Sequence, residues 1–291
     1  MRLEYPARTL VVCHDAGAAN VIIAGLLNTG RDDWLAVMGG PARKLWLNAF
    51  PDNVLIESLD EVLPSSEMVL TGTGWGSCLE HDARRGALKY GVKSIAVVDH
   101  WVNYQERFTR NEETIYPDEI WVTDSYALAI ANRLFPSKLI IQIQNLYLNR
   151  QLQTIRRVVP SVRPELLYVL EPARTVWGRD RPGEFQALDY FVQKFPVLEL
   201  PKDAVVRLRP HPSDWVGKYD EWLKSNASFS ASLDVSLDIA ESIGRASWVV
   251  GCESFALVLG LMSGRTVYCS LPPSAPVCRL PHKGIISLKE L

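Results

Sequence analysis

Short runs of β-branched and apolar residues recur along the chain, each closed by a turn signal and followed by a segment with helical spacing. This alternation restricts the fold to βαβ units built on parallel sheets. In the first half the predicted strands are Thr9–His14, Trp34–Met38, Val54–Glu57, Met68–Thr71, Ser94–Asp99, Glu119–Thr123 and Leu139–Ile143. Helices fill the gaps, most clearly Ser77–Tyr90, where Leu79, Ala83 and Ala87 recur every four residues, and Ser125–Phe135, which opens on a serine cap. After Asn145 the polar stretch Asn149–Arg157, followed by Pro160 and Pro164, reads as an interdomain linker. A second series then begins, with strands at Leu166–Leu170, Ala204–Arg209, Phe229–Ser232, Trp248–Gly251 and Thr266–Ser270. Its helices are Glu184–Phe195, Lys218–Ser225, Ser236–Arg245 and Ser254–Met262. The expectation is an N-terminal α/β domain with its linker over residues 1–160 and a C-terminal α/β domain over residues 161–291. No internal repeat supports a solenoid or propeller.

Length agrees, since 291 residues at about 150 per domain make two domains. With 47% hydrophobic and 22% charged residues the chain can bury a core. Thirty-one basic against 33 acidic residues leave a formal charge of −2, without an overall electrostatic footprint for nucleic acid or an anionic membrane. A bound anion must therefore be held locally. The longest apolar runs, Val21–Leu27 and Phe255–Met262, are shorter than the roughly 18 residues of a spanning helix. Thr9–Cys13 is too short for a signal-peptide core, so a cytoplasmic location is expected. Nine tryptophans leave room for peripheral contact with a membrane glycolipid. The five cysteines, at 13, 78, 252, 269 and 278, form an odd set with no C-x-x-C pair, which suits neither a disulfide framework nor a zinc site. Cys13, Cys252 and Cys269 are expected to be small buried hydrophobes.

In an open parallel sheet the ligand crevice lies beyond the carboxyl ends of the strands, so the residues after each strand carry the functional expectations. The first strand ends in His14-Asp15-Ala16-Gly17. Gly17 permits a tight turn into a helix, and Asp15 reads either as a general base or as the helix cap. Neither G-x-G-x-x-G nor the Walker pattern is present. Thr71-Gly72-Thr73-Gly74-Trp75-Gly76-Ser77 would offer bare N–H groups to a phosphate or to sugar hydroxyls, with Gly72, Thr73 and Gly74 as substrate contacts. Glu80 and Arg84, four apart, read as a surface ion pair. Asp99-His100-Trp101-Val102-Asn103-Tyr104, with Arg107 beyond, has the polar and aromatic density of a carbohydrate pocket. Asp99, Asn103 and Tyr104 would contact sugar, and His100 is the alternative base to Asp15. In the second half Arg207-Leu208-Arg209-Pro210-His211-Pro212 ends one strand, and Val249-Val250-Gly251-Cys252-Glu253-Ser254 ends another and opens a helix. The hydroxyl and bare N–H groups at Ser254, with Arg209 and His211 on a neighbouring strand, are expected to form a phosphate seat.

Across these residues the chain resembles the two-domain GT-B glycosyltransferases, most of all the bacterial sialyltransferase and Kdo-transferase branch. The likeness is clearest from about Ala204 to Ser270 and looser over the glycine loops. It implies two Rossmann-like α/β domains facing across a cleft. It also implies that His211 and Pro212 form a His-Pro motif holding the donor nucleotide, that Ser254 binds its phosphate, and that Asp15 stands where an acidic base would be. Glu253 occupies a position where that branch has a hydroxyl, and would have to turn away from a phosphate or hold ribose. No Asp-x-Asp is present, which favours a metal-independent reaction without a cofactor. The function implied is inverting transfer from a CMP- or UDP-linked sugar to a small or glycan acceptor in surface polysaccharide assembly. Nucleotide-sugar 2-epimerases and hydrolases share the architecture, and a non-catalytic nucleotide-sugar-binding protein is the remaining alternative.

Overall fold

A strand buried on both faces reads as a near-continuous apolar run, and Thr9–Cys13, apolar after Thr9, is buried at all five positions inside a parallel sheet. The computed structural model describes residues 4–74, 76–172, 177, 179–226, 229–236 and 238–291. Two compact units divide the chain, Met1–Leu148 and Asn149–Leu291.

The first unit contains β1 (Thr9–Cys13), α1 (Ala16–Leu27), β2 (Leu35–Met38), α2 (Gly40–Ala49), α3 (Leu59–Val62), β3 (Met68–Thr71), α4 (Leu79–Tyr90) and β4 (Lys93–Val98). A small hairpin follows, β5 (Thr109–Arg110) with β6 (Glu113–Thr114), and then β7 (Glu119–Val122), α5 (Ser125–Leu134) and β8 (Leu139–Gln142). The six-stranded parallel sheet has the order β2-β1-β3-β4-β7-β8. Alternation along β1 divides the core: Val11 and Cys13 face α1 and α2 through Ile22, Leu26 and Trp46, whereas Leu10 and Val12 face Val62, Leu63, Ala83 and Ala87. Gly91, in the left-handed region at φ +68°, stops α4.

The helix α6 (Leu146–Arg157) spans the division. In the second unit come β9 (Glu165–Val169), α7 (Gly183–Lys194), β10 (Val205–Arg209), α8 (Asp220–Ser225), β11 (Ala231–Leu233), α9 (Ile239–Arg245), β12 (Trp248–Gly251), α10 (Phe255–Met262), β13 (Thr266–Cys269) and β14 (Ile285–Ser287). Its parallel sheet has the order β11-β10-β9-β12-β13-β14. Tyr168, Leu188, Phe191, Val206, Leu208 and Val250 form its core. No described helix is long and apolar enough to cross a membrane.

The structure corrects several sequence expectations. Val54–Glu57 is not a strand: one backbone bond, Ile56 N–H to Ala36 O at 2.8 Å, ties it to β2, and Val54 is exposed. The polar stretch Asn149–Arg157, expected as a linker, is helical: it belongs to α6, which crosses the division of the units, buries Ile155, and has its Leu148 N–H donating to Asn145 Oδ1. Asp124, not Ser125, caps α5 by accepting the Ala127 N–H at 2.7 Å. The edge strand β14 lies in a stretch with no predicted element. Helix α9 starts at Ile239 under an Asp238 cap, and Leu237 of the predicted helix lies outside the described residues.

Candidate functional site

Strand order decides where each unit can hold a ligand. Connections in the first sheet run outward in opposite directions from β1 and β3, and in the second from β9 and β12, which makes the carboxyl ends of those pairs the crevice positions.

At the first crevice stand His14 and Asp15 after β1 and Gly72–Gly76 after β3, with Trp75 outside the described residues. Asp15 is the N-cap residue of α1, but its carboxylate makes no capping bond. It turns to the His14 ring, Oδ1 to Nδ1 at 2.7 Å, and its Oδ2 accepts the Gly76 N–H at 3.3 Å. The His14 backbone N–H donates to Glu80 Oε1 at 3.0 Å. Glycines make this crowding feasible. A Cβ on Gly74 would lie 2.4 Å from Asp15 Oδ2, one on Gly40 2.6 Å from the His14 ring, and one on Gly17 1.9 Å from Asp99 Oδ2.

The glycine loop therefore differs from the expected anion cradle. Gly72 N–H continues the ladder to Val12 O, the buried Thr73 hydroxyl donates to Val97 O, and the Gly74 carbonyl accepts from Arg110. These glycines make room for the chain's own carboxylates and imidazole. Glu80 and Arg84 are likewise not a surface pair, being 2% and 1% exposed. Arg84 donates to Thr71 Oγ1 and to the carbonyls of Gly72, Arg107 and Ile115, tying the loop to α4. Burial lowers the Arg84 guanidinium to about 10 and, reinforced by Asp15, raises the Glu80 carboxyl above its usual range.

Of the polar-aromatic loop, Asp99 is brought to this cluster, where it accepts from Arg107 at 3.0 Å. Asn103 takes a left-handed φ of 59° and its carbonyl accepts the Arg107 N–H. His100 is half-buried with its ring 5.3 Å from that of Trp101. Tyr104 departs from expectation: it is 2% exposed, stacks on Phe135 and donates to Ala127 O, so it belongs to the core.

In the second unit β9 separates β10 from β12. At about 4.8 Å per strand, the residues ending β10 and β12 start nearly 10 Å apart. Arg209 and His211 therefore do not flank the start of α10 as immediate neighbours. Arg209 donates to Asp234 Oδ2 at 2.6 Å, Ser242 Oγ at 2.7 Å and Ser236 O at 3.2 Å, a buttress between β10 and the loop after β11. His211 and Pro212 are exposed, and the His211 Nδ1 meets Ser213 Oγ at 2.7 Å. Beneath them the buried Lys218 bridges Asp214 and Glu184, which fixes this loop.

The residue that reaches the start of α10 is Glu171, two positions beyond the end of β9. Its Oε1 accepts the N–H groups of Cys252 at 2.8 Å, Glu253 at 2.9 Å and Ser254 at 2.9 Å, and its Oε2 accepts Glu253 N–H at 3.0 Å. Burial raises this carboxyl to about 7, against the pull of those three donors. Glu253 turns away, held by Arg279 through its N–H at 2.6 Å and guanidinium at 2.7 Å. The Ser254 hydroxyl is sealed from solvent without a hydrogen-bond partner among the described residues. Sequence reasoning missed Glu171, although it stands directly after a predicted strand, where the crevice rule points. Among the described residues no group of three or more His, Cys, Asp or Glu side chains is placed to hold a metal ion.

Two Rossmann-like units of this order give the chain a GT-B-like α/β fold. Similar solved structures include S. aureus MnaA in a co-structure with UDP, at TM-score 0.61 and 12% identity over 90% of this chain and 78% of that one. A UDP-N-acetylglucosamine 2-epimerase from Rickettsia bellii aligns at TM-score 0.54 and 10% identity, covering 84% of this chain and 73% of that one. A variant of the wall teichoic acid polymerase TagF aligns at TM-score 0.50 and 15% identity, covering 91% and 70%. No family model matches the sequence. No curated protein matches it either.

Proposed function

We propose that the chain is a nucleotide-sugar enzyme, and that its reaction is inverting transfer from a CMP- or UDP-linked sugar to an acceptor hydroxyl in surface glycan assembly. The observation that carries this reading is the start of α10, where three N–H groups converge on one anion at the crevice position of a GT-B-like unit. In this reading they and Ser254 take the donor phosphate, and exposed His211 and Pro212 meet the nucleotide. Kinship of fold with structures solved with UDP or named for UDP-N-acetylglucosamine supports the donor class.

On the acceptor side, His14 and Asp15 act as one proton-accepting unit. An ionised Asp15 holds the proton on Nδ1 and leaves the Nε2 lone pair to the acceptor hydroxyl. In the unit Asn149–Leu291 the α10 donors meet the charge on the nucleotide phosphate as its bond to the anomeric carbon breaks and an acceptor oxygen takes its place. Asp99 and Asn103 border this cluster as sugar contacts, and His100 is the alternative base. The second reading, epimerisation or hydrolysis of the nucleotide sugar, needs the same donor seat and no acceptor.

Incubation with UDP-, CDP- and CMP-linked sugars, with and without glycan acceptors and with a chelator, distinguishes the readings by product analysis. Transfer expects consumption only with acceptor and unchanged in chelator. An epimer or free sugar without acceptor selects the second reading, and no turnover under any condition sinks both.

A further inference from the structure

A helix start that is to receive a phosphate is expected to be vacant or solvated. Here it is occupied by a side chain of the same protein. Glu171 presents one oxygen to three successive N–H groups at 2.8–2.9 Å, the arrangement that a phosphate oxygen would adopt. Three further features single out this spot. Arg279 draws the Glu253 carboxylate aside, so Glu171 alone among the adjacent acids faces the seat. Ser254 is the N-cap residue of α10, yet its hydroxyl makes no capping bond and is left sealed and unpartnered. Gly251 keeps the end of β12 close to β9, since a Cβ there would lie 3.0 Å from Val169 O, with Glu171 Oε1 in ordinary contact at 3.4 Å.

We propose that Glu171 is a resident occupant of the donor-phosphate seat, a gate that ionised excludes the phosphate and protonated admits it. This rests on the nucleotide-sugar reading above and adds its regulation: donor binding is coupled to uptake of one proton. Two anions cannot share donors at that separation without strong repulsion, whereas a neutral carboxyl rotates away at far lower cost. The groups facing Glu171 are Tyr168 from β9, Cys252 and Glu253 after β12, and Cys278 from the loop before β14. None of these described groups is a cation, and among the described residues the α10 N–H groups are what favours the ionised form of Glu171.

The test is calorimetric titration of the full chain with UDP-N-acetylglucosamine, CDP-glycerol and a CMP-sugar between pH 6 and 8.5. These probes carry phosphate esters that do not titrate in that interval. The gate expects the affinity of the unaltered protein to fall about tenfold per pH unit above the Glu171 midpoint, some thirtyfold over the interval. In Glu171→Gln, a neutral side chain of the same shape, affinity should be independent of pH and match the low-pH value of the unaltered protein. Buffers of different ionisation heat should report one proton taken up at pH 8.5 and none in the variant. Equal, pH-independent affinity in both proteins overturns the gate and leaves the nucleotide-sugar reading intact, with Glu171 a structural cap. A pH dependence that persists in Glu171→Gln also overturns it and moves the titration to His211. If neither protein binds any probe, the nucleotide-sugar reading falls and takes the gate with it. Should Glu171→Gln fail to fold, the pH series on His211→Ala decides: a tenfold fall per pH unit retained there supports the gate, and its loss overturns it.

Discussion

Asp15, Glu80, Glu171 and Glu253 each accept a backbone N–H at the crevices, and of these four Glu171 concentrates three on one oxygen. Raised to about 7 from an ordinary 4.5, Glu171 binds its proton more tightly in the folded chain than in the unfolded one. Folding stability from this group is therefore intact below pH 4.5 and declines as pH climbs toward 7, by up to about 3 kcal/mol. Glu171→Gln should remove that slope, visible as a smaller difference between the urea midpoints at pH 5 and pH 8. An unchanged slope would assign the loss to other groups. For Asp15 the expectation is kinetic. Asp15→Asn should lower turnover of the donor sugar about 10²–10⁴-fold by misorienting the His14 ring, while nucleotide affinity stays within about twofold. Full activity in that variant would transfer the base role to His100.

At the scale of elements, the loops after β1 and β3 act together because glycines let them. Gly74→Ala puts a Cβ into the Asp15 carboxylate, at 2.4 Å from Oδ2, and that side chain must swing away from His14. Turnover should fall at least tenfold with only a few degrees lost from the melting temperature. Gly91→Ala is the converse control: at φ +68° in open space it should cost about 1 kcal/mol of stability and leave turnover unchanged. If both variants behave alike, the crowding at Gly74 has no catalytic meaning. Much at this scale was legible beforehand. Periodicity located β1, β3, β12 and α10 within a residue or two, because their apolar runs are bounded by glycines and polar turn residues. It failed where tertiary context outweighs pattern. The polar stretch that crosses the division of the units hid the helix α6, since Ile155 is its one buried residue, and Glu80 and Arg84 looked like a solvent-facing pair, although nothing in an i,i+4 spacing reports what packs over it. Asp99 and Gly17 were legible as strand-end residues, and they lie against one another; the His14–Asp15 contact was not, because the Asp15 carboxylate turns to the ring in place of a cap bond to α1.

For the whole molecule, the alternating pattern sufficed to divide the chain into two α/β units, but strand order was beyond it. The expected closeness of Arg209 and Ser254 assumed adjacent strands, and the insertion of β9 between β10 and β12 replaces that pair with Glu171 and Ser254. Each unit has its own sheet and core, so calorimetric melting should resolve two transitions. A donor nucleotide at one hundred times its Kd should stabilise only the unit Asn149–Leu291, by about 2.7 kcal/mol. Hydrogen exchange assigns the shifted transition, and protection confined to Met1–Leu148 would place the nucleotide in the other unit.

In the proposed donor seat, the Glu171 carboxylate at α10 would bear on how the protein tells its ligand from its surroundings. Cells hold abundant inorganic phosphate and other small oxyanions, and a bare ring of N–H groups would be filled by them much of the time. With an anion already tethered there, an incoming one meets a rival at very high local concentration, and charge alone confers no advantage. Only a molecule that brings further contacts along with its phosphate can prevail. The tether thus converts a general anion receptor into one that answers to the remainder of the ligand.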